Sequence, residues 1–277
     1  MMQLSCPVCE APLVQNDKNL RCEANHSFDA ARQGYWNLLL AHKKRSKDPG
    51  DNPEMVQARR RFLNNGFYKP LSDKVNQLCA ELLSSKPEPC ILDMGCGEGY
   101  YTDRLQQHLT AHGSSPLITG LDISKHAVKA ACSRSKQITW LVASGAATPV
   151  PQNSLDLQLV LFSRLMPEAL AKPLKSEGYL LVAWPGAKHL LELREAIYES
   201  VRESHFDPAA TLKDYFSLER TESVNFQFQL NGEEEIDSLL AMTPHGQRLK
   251  EEARQRLLNL ETLDLTADVN LGIFHRI

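Results

Sequence analysis

Hydrophobic spacing divides the chain into stretches of different character. Residues 1–29 carry isolated apolar positions among turn-type residues and show no helical period. Residues 48–53, DPGDNP, are a loop by composition. From Pro53 the pattern turns helical. In PEMVQARRRFLNN, Met55, Ala58, Arg59 and Phe62 recur at three- and four-residue steps, and Asn65-Gly66 ends the run. A second helix is predicted from Pro70, with Leu71, Val75, Leu78 and Leu82 on one face. Proline suits a first helical position because the N–H it lacks has no intrahelical partner there.

From Cys90 the period shifts. Five short apolar runs follow: CILDM, LITGLDI, ITWLVA, LDLQLVLF and GYLLVAWP. Helical patterns follow most of them, in YYTDRLQQHL, SKHAVKAACSR, MPEALAKPL and residues 187–203. Strands alternating with helices predict an α/β fold with a parallel, doubly wound, Rossmann-like sheet. Towards the end, SVNFQFQL alternates as an exposed strand does, and ADVNLGIFHRI is expected to close the sheet as an edge strand.

Of the 277 residues, 42% are hydrophobic and 23% charged, which supports a sizeable core. No apolar run approaches the roughly 18 to 20 residues that span a bilayer, and the first residues lack the apolar stretch of a secretory signal. A soluble, cytoplasmic protein with no membrane partner is expected. The net charge of −3 is unevenly placed: residues 1–61 hold ten Lys/Arg against seven Asp/Glu, an excess of three that leaves −6 on the remainder. A basic front on an acidic body points to an anionic partner for the front.

Seven cysteines are present, and four ligand-type residues crowd the N-terminus: Cys6, Cys9, Cys22 and His26, in C-x2-C-x12-C-x3-H spacing. That is a zinc pattern. Cys6 and Cys9 form a knuckle whose tight turn suits Pro7, and Cys22 and His26 return from a predicted two-stranded hairpin. Four protein ligands leave no open position, so the zinc is structural, and it compensates for a core too small to fold unaided. A redox CxxC would sit in a βαβ context, which this one does not. Cys79, Cys90, Cys96 and Cys132 are scattered and read as small buried residues.

The glycine turn LDMGCGEGYYT places Asp93, Gly95, Gly97 and Gly99 after the first predicted strand and before a helix. Residues without Cβ let backbone N–H groups approach a ligand at the strand's carboxyl end. Asp122, followed by Ile123, ends the second strand, where a carboxylate can accept both hydroxyls of an adenosine ribose. This acid-preceded GxGxG with a second acid resembles class I S-adenosylmethionine (SAM)-dependent methyltransferases. Ser144 at the third strand end is expected beside the adenine. The basic stretch HKKRSKDPGD and the following ARRRF place Lys43, Lys44, Arg45, Lys47, Arg59 and Arg60 between zinc and sheet as candidate phosphate contacts. Helical spacing prevents Arg59, Arg60 and Arg61 from all pointing one way.

Taken together, the zinc pattern, QGYWNLL, KRSKDPGD, QARRRFL, GFYKPL, LDMGCGEGYYT, GLDISKHAVKAA and PGAKHLLELREAIY resemble the RlmA family of 23S ribosomal RNA (guanine-N1)-methyltransferases. The resemblance runs from Cys6 to about Val201 and more loosely beyond. It implies an RNA-gripping zinc-ribbon domain (1–40), a basic linker with helices (41–85) and a SAM-dependent methyltransferase domain (86–277). It implies methylation of N1 of one guanine in a 23S rRNA hairpin, with no DNA partner, by a homodimer. By position it assigns zinc to Cys6, Cys9, Cys22 and His26, and SAM contacts to Tyr68, the turn through Tyr100, Tyr101 and Thr102, and His189. The segment FSRLMPEAL lacks the Asn/Asp-Pro-Pro-aromatic motif of exocyclic-amine methyltransferases, which fits an endocyclic nitrogen. Phe162, Arg164 and Met166 lie where substrate would approach, and no catalytic base is identifiable. A SAM-dependent enzyme acting on a small metabolite is the alternative, and an RNA-binding adaptor with a degenerate SAM fold a third reading. The zinc pattern and basic stretch argue against the former, the intact glycine turn and Asp122 against the latter.

Overall fold

The computed structural model describes all residues except 45, 199, 202–205, 245, 247 and 248. The chain begins with β1 (Leu4–Ser5), β2 (Pro12–Asn16), β3 (Asn19–Arg21) and β4 (Ser27–Asp29), which pair antiparallel in that order. The predicted hairpin is β2–β3, and a strand flanks it on either side. Leu4, Leu13 and Leu20 are buried, in one apolar cluster with Leu92, Leu121 and Leu141 of the larger sheet.

Next come β5 (Trp36–Asn37), α1 (Pro53–Asn64), α2 (Lys69–Leu82), β6 (Cys90–Met94), α3 (Tyr100–Ala111), β7 (Leu117–Asp122), α4 (Lys125–Ala131), β8 (Thr139–Val142), β9 (Leu155–Leu161), α5 (Pro167–Ala171) and β10 (Leu174–Pro185). The chain closes with α6 (Leu191–Ile197), α7 (Pro208–Leu212), β11 (Phe216–Asn231), α8 (Gly232–Met242), α9 (Glu251–Leu258) and β12 (Thr262–Arg276). The large sheet has the order β11-β12-β10-β9-β6-β7-β8-β5. From β10 to β5 neighbouring strands are parallel, and their near-continuous apolar runs are buried on both faces.

Two expectations are corrected within the α/β, Rossmann-like fold. β12 runs antiparallel to both β10 and β11. ADVNLGIFHRI is therefore an interior strand, and the edge is β11. On β11, Glu219, Arg220 and Glu222 present charge to solvent, which protects an open edge against further pairing. Of the helix expected over 187–203, the described residues form Leu191–Ile197. Its first residues are spent on β12 instead: Gly186 N–H donates to the Asp268 carbonyl (2.7 Å) and Leu190 N–H to that of Thr266 (2.8 Å). Leu190 itself has left-handed backbone, with φ of 48°.

Trp36–Asn37, expected within the N-terminal unit, pairs in parallel with β8 as the far edge of the large sheet. Helix α1 starts at an N-cap, where the Asn52 side chain accepts from Met55 N–H (2.9 Å). It packs on α4 and α8, and α2 packs on α3. Phe62, Leu71, Leu78 and Leu105 are fully buried in the cluster that also holds Trp140.

Candidate functional site

Two sites take shape from these elements. In the N-terminal sheet, Cys6 and Cys9 lie on the turn between β1 and β2, and Cys22 and His26 on the turn between β3 and β4. Each turn is closed by a backbone bond, Glu10 N–H to the Cys6 carbonyl (2.8 Å) and Asn25 N–H to that of Cys22 (3.0 Å). Both Glu10 and Asn25 take positive φ, 63° and 64°. The four ligand atoms lie within 4.8 Å of one another. Cys9 Sγ and Cys22 Sγ are 3.7 Å apart, and His26 Nδ1 is 3.3 Å from Cys22 Sγ and 3.6 Å from Cys6 Sγ. A tetrahedral zinc with bonds of about 2.3 Å to sulfur and 2.0–2.1 Å to nitrogen requires edges of about 3.8 and 3.6 Å. These three edges are close to those dimensions, and the whole set stays within 4.8 Å. Burial acts to raise the Cys22 thiol, but hydrogen bonds from the His26 backbone and the neighbouring ligands outweigh it and bring it down to about 7, towards the thiolate that zinc takes.

The second site is a cavity of about 690 Å3 at the carboxyl ends of β6, β7, β9 and β10. Its floor is the glycine turn after β6, with φ of 83°, 55° and 85° at Gly95, Gly97 and Gly99. Gly95 and Cys96 donate to the Leu121 carbonyl (2.8 and 3.0 Å), and Gly97 donates to Asp122 Oδ2 (2.9 Å). A Cβ on Gly97 would meet only the Arg59 guanidinium, at 3.7 Å, so this glycine presents bare backbone to the cavity. Asp122 also accepts from Ser124 N–H (2.8 Å), and burial raises its carboxyl against these two bonds. Asp93 is buried. Its Oδ2 accepts from the Thr102 hydroxyl (2.6 Å), while Oδ1 is buried with no partner among the described residues, and Asp93 is one of the residues lining the cavity. Burial lifts Asp93 to about 7, the Thr102 bond opposes the rise and the nearby Asp122 charge adds to it. A buried acceptor with no donor fits the ammonium of a SAM methionine moiety, and bare glycine backbone beside a strand-end acid fits its adenosine.

Of the residues singled out in sequence, Tyr68, Asp93, Gly95, Gly97, Tyr100, Tyr101, Asp122, Ile123 and His189 line this cavity. His189 Nδ1 accepts from Asp268 N–H (3.2 Å) and its Nε2 lies 3.3 Å from the Tyr68 hydroxyl, whose ionisation burial opposes strongly. Three residues fall behind the wall. Gly99 gives room to Trp140, whose ring a Cβ there would approach to 2.7 Å. Thr102 holds Asp93, and Ser144 caps the turn Gly145–Ala147.

The arginines of α1 are placed differently from expectation. Helical rotation sends each to a different neighbour. Arg59 lines the cavity and pairs with Asp51. Arg60 reaches the Ala130 carbonyl (3.2 Å) and Ser133 (2.8 Å) at the end of α4, and Arg61 reaches Ser238 of α8 (3.2 Å). Lys43, Lys44 and Lys47 are exposed, and Arg45 lies outside the described residues. Of the candidates for substrate approach, Phe162 lines the cavity and Arg164 and Met166 do not.

Other wall residues escaped sequence reasoning. Glu98 of the turn is held by Arg134 (2.6 Å). Gly50 and Asp51 come from the DPGD loop, which lies over the end of β7: Ser124 donates its hydroxyl to the Asp51 carbonyl (2.6 Å), and Asp48 pairs with His126 (2.7 Å). Trp184, Phe206 and Met242–Pro244 also line it. Trp184 could have been found from its place at a strand's carboxyl end; no local signal marks the others.

Parallel strands ending on a glycine turn, an unpaired buried acid and a second strand-end acid define a class I SAM-dependent methyltransferase. A model of a methyltransferase domain matches residues 91–176, and a model described as RlmA, N-terminal, a zinc ribbon, matches residues 4–47. The Bacillus subtilis protein YxjB, which carries the name of a 23S rRNA (guanine-N(1)-)-methyltransferase, is 30% identical over 97% of this chain and 95% of its own. The Streptomyces fradiae 23S rRNA (guanine(748)-N(1))-methyltransferase is 35% identical over 70% of this chain and 67% of its own. The chain belongs to the family of 23S rRNA (guanine-N1)-methyltransferases, SAM-dependent enzymes with an N-terminal zinc ribbon.

Proposed function

We propose that the protein transfers a methyl group from SAM to N1 of one guanine in a hairpin of 23S rRNA, and does so in the cytoplasm as a homodimer. The observation that carries this reading is the junction of its two sites. The exposed Lys43, Lys44 and Lys47 lie between β5, the large-sheet edge that follows the zinc sheet in the chain, and the DPGD loop that overlies the cofactor end of the cavity. An RNA held on the basic segment is thereby delivered next to the reacting centre. Among the described residues no helix is long and apolar enough to cross a membrane.

SAM supplies an activated methyl on a sulfonium. The chain's own residues hold and align. Asp93 would receive the ammonium and Asp122 the ribose hydroxyls, and the Tyr68–His189 pair lies on the β10 side of the cavity. Alignment of this kind accounts for up to about 7–11 kcal/mol of barrier reduction. The guanine must leave its stack, at a cost of a few kcal/mol that is smallest in a loop. Forming the N1–CH3 bond would break the S–CH3 bond of the sulfonium, leave the thioether as the departing product and release the N1 proton to solvent water. Mass mapping of 23S rRNA from a strain lacking the gene tests the reading. One guanine methyl group should disappear and return on complementation, and an unchanged pattern would refute it.

A further inference from the structure

The cavity has two chemically distinct halves. Its floor is polar and buried, formed by Asp93, the glycine turn and Asp122. Its mouth is apolar and open, formed by Phe162, Trp184, Pro185, Phe206 and Met242. Phe162 is 41% exposed and Phe206 48%, large apolar surfaces left in water where a core residue would be covered.

Phe162 is also strained. Its φ is 55°, a left-handed conformation that a bulky residue rarely adopts. The strain turns the chain out of β9 immediately after Leu161, while Phe162 N–H stays bonded to the Ala183 carbonyl (3.1 Å). The next residue, Ser163, sits so close to Gly95 that a Cβ there would lie 2.5 Å from its hydroxyl. Phe162 thus stands where the cofactor floor meets the mouth. Its ring lies nearly parallel to that of His189, at 27° with centroids 6.1 Å apart, and His189 is itself held by Asp268 N–H and the Tyr68 hydroxyl. A strained, exposed ring steadied on one side has a free face for a flat partner.

We infer that Phe162 is the stacking face for the target guanine once it has left the RNA helix. This rests on the rRNA reading above and adds to it the residue that receives the base. Aromatic faces hold unstacked bases in this way without reading their edges.

The test is a series at one position in the full-length, zinc-loaded enzyme: F162A, F162L and F162Y. Each retains Cβ, so each keeps the same backbone constraint and the series isolates the ring. Two quantities are measured, the SAM dissociation constant by calorimetry and kcat/KM for methylation of an unmodified full-length 23S rRNA transcript. F162A and F162L should lose roughly tenfold to a hundredfold in kcat/KM. F162Y should stay near the parent, and SAM affinity should not change in any variant. Equal activity of F162L and F162Y would overturn the assignment, since aromaticity would then not matter. So would a SAM dissociation constant that rises in step with lost activity, which would place Phe162 with the cofactor. A parent enzyme that binds SAM but leaves the transcript unmethylated would instead sink the rRNA reading, before any variant was compared.

Discussion

Asp93 makes SAM affinity a function of pH. In the ligand-free enzyme its carboxyl is buried, has one acceptor atom unpaired and titrates at about 7, against roughly 3.9 in an unfolded chain. A folded pKa above the unfolded one means a contribution to stability that is present in acid and is lost as pH rises through about 7. At neutrality the ionised group opposes folding by up to about 4 kcal/mol. An ammonium placed against Oδ1 reverses this by favouring the carboxylate, so binding below pH 7 must expel a proton. With a site at about 7, the fraction already ionised falls from about one half at pH 7 to about one tenth at pH 6. SAM should therefore bind about fivefold more weakly at pH 6 than at pH 7, with about 0.9 proton released per ligand at the lower pH. The ligand's own amino group, with a pKa near 8, stays charged across this window. Calorimetry in buffers of different ionisation enthalpy reads both quantities. Burial raises Asp122 in the same direction, and Asp93→Asn separates the two: the variant should bind weakly and lose most of the proton release. An affinity flat between pH 6 and 7, with an enthalpy independent of buffer, would refute the reasoning.

Further outcomes follow from particular contacts. Cys22→Ser should lose the metal and rRNA methylation but keep SAM affinity, because none of the described residues of 1–49 lines the cavity; full rRNA activity in metal-stripped protein would contradict this. Gly99→Ala should cost about 2–4 kcal/mol in denaturant unfolding, since its Cβ would press on Trp140 and Ala131 at a φ of 85°; an unchanged midpoint would count against that packing. Replacing Lys43, Lys44 and Lys47 together by Ala should flatten the salt dependence of rRNA binding by about 2 to 3 log units per log unit of salt. Arg59→Ala, inside the cavity, should weaken SAM binding and leave that slope unchanged, and the opposite pattern would return Arg59 to the RNA face.

The parallel half of the sheet was legible because its signal is local: a short apolar run ending in a turn or a helix start. In the antiparallel half the two strands were legible but their order was not. In β12 the polar residues Asp264, Thr266, Asp268 and Asn270 alternate with Leu265, Ala267, Val269 and Leu271, which reads as one wet face at an edge. Their polarity serves the chain itself. The Asp268 carboxylate accepts from Lys188 N–H (2.9 Å), and Thr266 donates to Glu192 (2.5 Å). These bonds fasten the loop that carries His189, and that fastening also sets the late start of the helix expected over 187–203. Periodicity reports which residues differ from their neighbours. It does not report whether water or another strand satisfies them.

The site divides along the same line. Asp93, Gly95, Gly97 and Asp122 were legible because a positive φ beside a strand end restricts residue type in one short segment. Arg59 was grouped with Arg60 as a phosphate contact because, although a helix turns successive residues by about 100°, the sequence does not say which of three arginines faces the cavity. DPGD was read as punctuation because its partners are distant: Asp51 meets Ser124, 73 residues on. A Cβ on Gly50 would lie 2.7 Å from that of Ser124, with φ at 87°, so the loop can seat there only with glycine at its centre. Ser124 in turn donates its N–H to Asp122, the acid of the cofactor floor. A charge run, a turn and a strand-end acid, each bland in sequence, are therefore one connected structure, and the connection exists only through pairing that no local pattern encodes.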